Sequence, residues 1–223
     1  LVHNVHVWKV FLTPRKEIRQ IHQADEVKGY VSRFIGLVLW VSLLAAVNFY
    51  LVLWSTNTTQ AELDAMGFGD INVHETILFL SFVFMIISIV ASLFVFGLFF
   101  LTLFVFFREI KTVYSFIIIL FALTISSVQL LFEIPLILLF DYNPLDYTVY
   151  STSVITRQFT DSIGINIFAN YFSIFTIWEA VILFFGLREF STKRTGTIIV
   201  FIIVMYVSVF FMMTQLDLMT MKA

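Results

Sequence analysis

The sequence predicts an all-α polytopic membrane protein: five transmembrane helices preceded by an amphipathic N-terminal cytoplasmic helix. Three observations predict it. Charged residues make up 13% of the chain and hydrophobic residues 60%, whereas a soluble domain carries about 25% charge. Apolar runs occupy 34–54, 76–107, 113–140, 165–187 and 196–216, each long enough for the roughly 20 residues that cross a hydrocarbon core as a helix. Finally, Lys and Arg alternate in phase with the runs. With the N-terminus in the cytoplasm, eleven fall inside and two outside, as the positive-inside rule requires of a five-span chain with its C-terminus outside. Three regions follow: a cytoplasmic arm 1–33, a single five-helix domain 34–216 and a short outer tail 217–223.

The arm reads "WKVFLTPRKEIRQIHQADEVKGYVSRF". Thr13 before Pro14 forms a helix start. Ile18, Ile21, Ala24 and Val27 recur at helical spacing, so the arm should place an amphipathic helix on the cytoplasmic face with its cations near anionic lipid. An ordinary solvent-facing helix packed on the loops is the competing picture. The first apolar run starts near Arg33, after this polar arm, and reads as a retained span.

The second run is long for one crossing, about 46 Å at 1.5 Å per residue, and invites tilt, a bend at Gly97 or protrusion. The loop before it carries the glycosylation triplet Asn57-Thr58-Thr59, then Asp70 or Asn72 as caps. In the loop 141–164, Tyr142, Tyr147 and Tyr150 suit the headgroup belt, and a short surface helix fits between them and the fourth run.

Two acidic residues fall inside spans, Glu133 and Glu179. A lipid-exposed carboxylate at mid-bilayer costs at least a few kcal/mol, so each should face a neighbouring helix. Candidate intramembrane partners include Asn48, Gln129 and Asn170, with Ser126, Ser127, Tyr171, Ser173 and Thr176. In "LLFEIPLILLF", Pro135 removes the donor to the carbonyl of Leu131 and predicts a kink that needs another donor. The two carboxylates serve either to join helices, to contact a membrane partner, or to line a solute, ion or proton route.

No enzyme constellation emerges. His3, His6, His22 and His74 form no span-centred cluster, no His-Glu-x-x-His pattern occurs, and Gly67-x-Gly69 is too short for a phosphate cradle. No serine has an evident histidine partner. With no cysteine, disulfides and thiolate sites are excluded. No metal, cofactor or nucleic-acid partner is expected; the lipid bilayer is.

The plan and three local textures resemble the Yip1 family of five-span membrane proteins in its bacterial branch. "WKVFLTPRKEIRQI", with Trp8, Phe11 and Pro14, resembles the family's entry segment. "EIPLILLF", with Pro135, resembles its third span. "GLREFSTKRTGTIIV", with Gly186, Leu187 and Ser191, resembles the turn into its last span. The resemblance implies a non-enzymatic adaptor or membrane organiser in a bacterial plasma membrane. Some bacterial members accompany an ABC-type exporter linked to antimicrobial-peptide protection, so its ATPase and permease subunits are implied partners. On this reading the cytoplasmic contact surface is Trp8, Phe11, Pro14, Arg15, Lys16 and Arg19.

Overall fold

The computed structural model describes residues 2–55, 73–140 and 149–220. The expectations for Asn57, Asp70, Asn72, Tyr142 and Tyr147 lie outside them, as does the end of the 217–223 tail. The described residues are predominantly helical. Four helices are long and apolar enough to cross a membrane: Tyr30–Trp54, Val73–Phe106, Thr112–Phe140 and Thr195–Met219. They make this an integral membrane protein.

The arm folds as β1 (Val2–Asn4), α1 (Val7–Leu12), α2 (Pro14–His22) and β2 (Glu26–Lys28). The strands pair in parallel, Val2 with Glu26 and Asn4 with Lys28. Parallel strands need a crossover, and α1–α2 supplies it. Pro14 stands in the first turn of α2, as its missing N–H favours. Thr13 does not cap α2 with its side chain; its hydroxyl donates instead to the Lys9 carbonyl at 3.1 Å, closing α1. Ile18, Ile21 and Ala24 are buried as the spacing predicts. Val27 departs from it, because the helix ends at His22 and Val27 lies in β2.

The long helices are α3 (Tyr30–Ser55), α4 (Val73–Phe106), α5 (Thr112–Phe140) and, last, α9 (Thr195–Thr220). Helix α4 runs unbroken past Gly97 for 34 residues, about 51 Å. Between α5 and α9 the chain forms the one-turn α6 (Ser153–Thr156), then α7 (Ile163–Asn170) and α8 (Ile174–Phe190). The run read as a single helix over 165–187 is therefore interrupted at Tyr171–Ser173. Ser173 is extended (φ −102°, ψ 164°) and its Oγ accepts from the Thr176 N–H, starting α8 afresh.

Two compact units emerge. The first comprises Leu1–Tyr30, Leu103–Ile125 and Leu145–Ala223. At one end of it the α8–α9 turn meets the 107–111 loop. Ser191 Oγ donates to Glu109 Oε1 at 2.7 Å, Lys193 lies over the Phe107 ring, and Phe190 stacks on Tyr114 at 4.3 Å. Tyr171 donates to Asp217 at 2.6 Å, joining the α7–α8 break to the last turn of α9. A Cβ on Gly186 would stand 2.7 Å from Ile118 Cγ1, so glycine permits α8 and α5 to close here.

The second unit comprises Val31–Thr102 and Ser126–Pro144. Helices α3 and α4 meet through aromatic pairs, Phe34 with Phe96 at 4.2 Å and Phe49 stacked on Phe84 at 4.5 Å. Val52 and Ile137 form a small core between α3 and α5. In-helix hydroxyls are satisfied locally: Ser81 Oγ donates to the Ile77 carbonyl at 2.7 Å, one turn back.

Candidate functional site

Polar groups concentrate in three places. The first is Glu133 on α5, buried in the second unit. Asn48 Nδ2 on α3 donates to Glu133 Oε2 at 3.0 Å and to the Leu130 carbonyl at 3.1 Å. Gln129 Nε2, one turn earlier on α5, donates to Glu133 Oε1 at 3.2 Å. Both carboxyl oxygens thus receive an amide proton, as a buried carboxylate requires. Pro135 lies within α5, which continues through it. The donor expected for the Leu131 carbonyl is not supplied by Asn48, whose amide donates instead to the carbonyl of Leu130. The Asn48 Oδ1 is enclosed and accepts no hydrogen bond. Chemically the arrangement clamps α3 to α5 and leaves one buried acceptor open.

The second place is the segment around the α7–α8 break. Ser151 and Ser153 each donate to Asn170 Oδ1 at 3.1 Å. Thr156 Oγ1 donates to Asn166 Oδ1 at 2.9 Å, and Ser151 bridges to Ser173 as an isolated antiparallel pair. Asn170 thus gathers the two serine hydroxyls, while the interrupted backbone is paired by the Thr152 N–H to the Phe172 carbonyl and the Ile174 N–H to the Tyr150 carbonyl. Glu179, two turns into α8, faces the Tyr206 hydroxyl of α9. That hydroxyl is enclosed and makes no hydrogen bond of good geometry. Glu133 and Glu179 belong to different compact units.

The third place is the cap, α1–α2, seated on α8. Trp178 Nε1 donates to the Phe11 carbonyl at 3.2 Å. Near the other end of α2, His22 Nδ1 lies 3.2 Å from Glu189 Oε1, and Arg19 Nε lies 3.8 Å from Glu189 Oε2. The apolar stripe of α2 therefore meets α8, with Pro14, Ile18 and Ile21 buried. Of the predicted contact residues, Trp8, Arg15, Lys16 and Arg19 are exposed, Phe11 is half-buried, and Pro14 is buried. Beside the Arg15–Arg19 ridge opens a cavity of about 550 Å³ with Arg188 and Glu189 on its far wall.

Several of these residues escaped the sequence reading. Glu17 is buried within the cap, 3.0 Å from His3 Nε2 and accepting from the His6 backbone N–H at 3.2 Å. Its place one residue before Ile18, on the apolar stripe, was the available signal. Trp178 and Arg188 carry no local mark of their role, because their partners lie far away in sequence. Among the described residues no group of three His, Cys, Asp or Glu gathers to hold a metal ion.

The chain matches no protein-family model, no curated protein and no solved structure.

Proposed function

We propose that this chain is a non-enzymatic membrane adaptor: an accessory subunit of an export or antimicrobial-peptide defence complex in a bacterial plasma membrane, with a Yip1-like five-span plan. The N-terminus is cytoplasmic, the C-terminus is outside, and α8 makes the fourth crossing. Helix α8 has 17 residues, about 26 Å, and its two ends meet opposite ends of α9 through Tyr171–Asp217 and the 191–194 turn; because the cap lies along it from Trp178 to Glu189, this crossing carries the cap into the face of the bilayer with it. The turn's Arg188, Lys193 and Arg194 then lie with the arm and with Arg108 and Lys111, on the positive side.

The observation that carries the adaptor reading is the cap. It is a folded element pinned to α8 at both ends, yet it leaves Trp8 50% and Leu12 78% exposed on α1, with Arg15 and Lys16 exposed on α2. Exposed tryptophan and arginine on one folded element match the residue types enriched in interfaces. A photo-crosslinking residue at position 8 or 12, activated in native membranes, should capture an ABC-type ATPase or permease subunit. Adducts to lipid alone, in membranes whose other complexes stay intact, would remove the adaptor reading. Reporter fusions at each end, facing opposite compartments, test the five crossings.

A second reading rests on Glu133. A buried carboxylate between two amides, beside an open Asn48 acceptor, suits a proton- or solute-coupled carrier. Reconstituted protein should then show pH-dependent flux that Glu133→Gln abolishes; Glu179→Gln tests whether the second carboxylate belongs to the same route.

A further inference from the structure

We propose that the groove between α2 and α8 is a binding site for the phosphate headgroup of an anionic phospholipid, with the acyl end lying against Phe185 and Trp178. This goes beyond the adaptor reading and does not depend on it.

Three guanidiniums, Arg15, Arg19 and Arg188, line one cavity of about 550 Å³ whose only carboxylate is Glu189. That carboxylate is already engaged by His22 and Arg19. Among the described residues, Arg15 and Arg188 make no ion pair. Ordinary helix electrostatics account for part of this. Arg188 stands in the last turn of α8, where the macrodipole favours a cation. Arg15 stands in the first turn of α2, where the same dipole disfavours one, and it lies one turn from Arg19, a like-charge spacing that is itself unfavourable. The cluster therefore has a cost within the chain that an anion in the cavity would offset. Planar guanidinium forks converging on one space match phosphate oxygens, which accept paired N–H bonds.

The walls select the source of the phosphate. Phe184 and Phe185 share the cavity with the arginines. An adjoining hollow of about 610 Å³ runs past Arg15, Lys16, Arg19, Gln20 and Gln23 to an apolar wall of Pro14, Trp178 and Phe185. A free phosphate would fill the cationic end and leave this aromatic flank bare. A phospholipid fills both, because it joins a phosphate to hydrocarbon. Trp178 lies ten residues before Arg188 on α8, about 15 Å along a helix, which sets it apart from that guanidinium, while Arg15 and Arg19 border both hollows.

The test uses the full chain purified in a neutral detergent. Native mass spectrometry counts retained lipid after exposure to phosphatidylglycerol, phosphatidylcholine or inorganic phosphate. One phosphatidylglycerol per chain should be retained in preference to phosphatidylcholine. Arg15→Gln and Arg188→Gln should each weaken it about tenfold, and Arg108→Gln, outside the groove, should leave it unchanged. Both arginines are exposed, so these variants should fold, which an unchanged melting temperature verifies. Equal retention of the two lipids, or retention indifferent to Arg15 and Arg188, overturns the site. Inorganic phosphate binding as tightly as the lipid, and losing affinity in the same variants, overturns the lipid assignment and leaves a soluble phosphate compound as the ligand.

Discussion

Helices α4 and α5 are both long apolar candidate spans, but they live in different surroundings. In the most apolar stretch of α5, 61% is buried within the protein, against 11% for α4. Hydropathy cannot tell these apart, because lipid and protein interior are both apolar solvents. What separates them is the distribution of small and polar groups. Helix α5 buries Ser115, Thr124, Ser127 and Glu133, while α4 exposes a dense set of large side chains such as Phe79, Phe94, Leu101 and Phe104. Helix α4 carries polar residues as well, but those it buries, Thr76 and Ser81, lie near its start, whereas α5 buries polar groups along its length.

The largest expected break in that contrast is Phe121→Ala on α5, where the ring is fully enclosed. A loss of about 3–5 kcal/mol should follow, read as a lower melting temperature in detergent. Next, Asn48→Leu removes the donor to Glu133 and Leu130 and should cost about 1–3 kcal/mol. Gly186→Ala should cost a similar 1–3 kcal/mol, since the new methyl meets Ile118 Cγ1, and in an Ile118→Ala background, which lacks that atom, the same change should cost less. Leu101→Ala, on the exposed face of α4, should stay within about 1 kcal/mol in detergent. If Leu101→Ala matched Phe121→Ala, α4 would be packed against protein and the contrast would fail.

The smallest effect is one of pH. At Glu109, burial alone would raise the carboxyl. The Ser191 hydroxyl, the residue's own backbone N–H and the Lys193 charge outweigh it, so the pKa falls below its ordinary 4.5. A folded-state pKa lowered in this way adds stability above the unfolded value and loses it as pH falls through the folded one. Ser191→Ala should therefore narrow the melting difference between neutral and acid pH slightly, because the site is largely exposed.

Four of the five expected runs were legible as helices long and apolar enough to cross lipid, because crossing demands long apolar runs; the run at 165–187 folds instead as two shorter helices. Within the arm, the helix start at Pro14 and the burial of Ile18 and Ile21 were legible, where propensity and period agree; the flanking strands and the packing of that face on α8 were not. The break before α8 was not: "NYFS" holds neither Gly nor Pro, α7 ends at Asn170, and Ser173 caps α8 through the Thr176 N–H while bridging to Ser151. Of the intramembrane polar set, Asn48, Gln129 and Glu133 do come together. Expecting the carboxylate to find Asn48 across 85 residues required only the energetic cost of leaving it alone. Glu179 was recognised as needing a neighbour, but Tyr206 was not foreseen, because a tyrosine in an aromatic-rich helix carries no distinguishing pattern. The cationic groove was half visible. Arg15 and Arg19 share a face by spacing, whereas Arg188 joins them only through tertiary packing.

The parallel rungs between residues 2–4 and 26–28 make the arm a closed ring. A protease that cut the exposed link at Leu12–Thr13 would produce two pieces that remain associated. One is gripped by the Glu26–Lys28 rungs and by Trp178, the other is held on α8 through Ile18, Ile21 and Glu189. A nicked chain should thus co-migrate intact on a sizing column and separate only in denaturant.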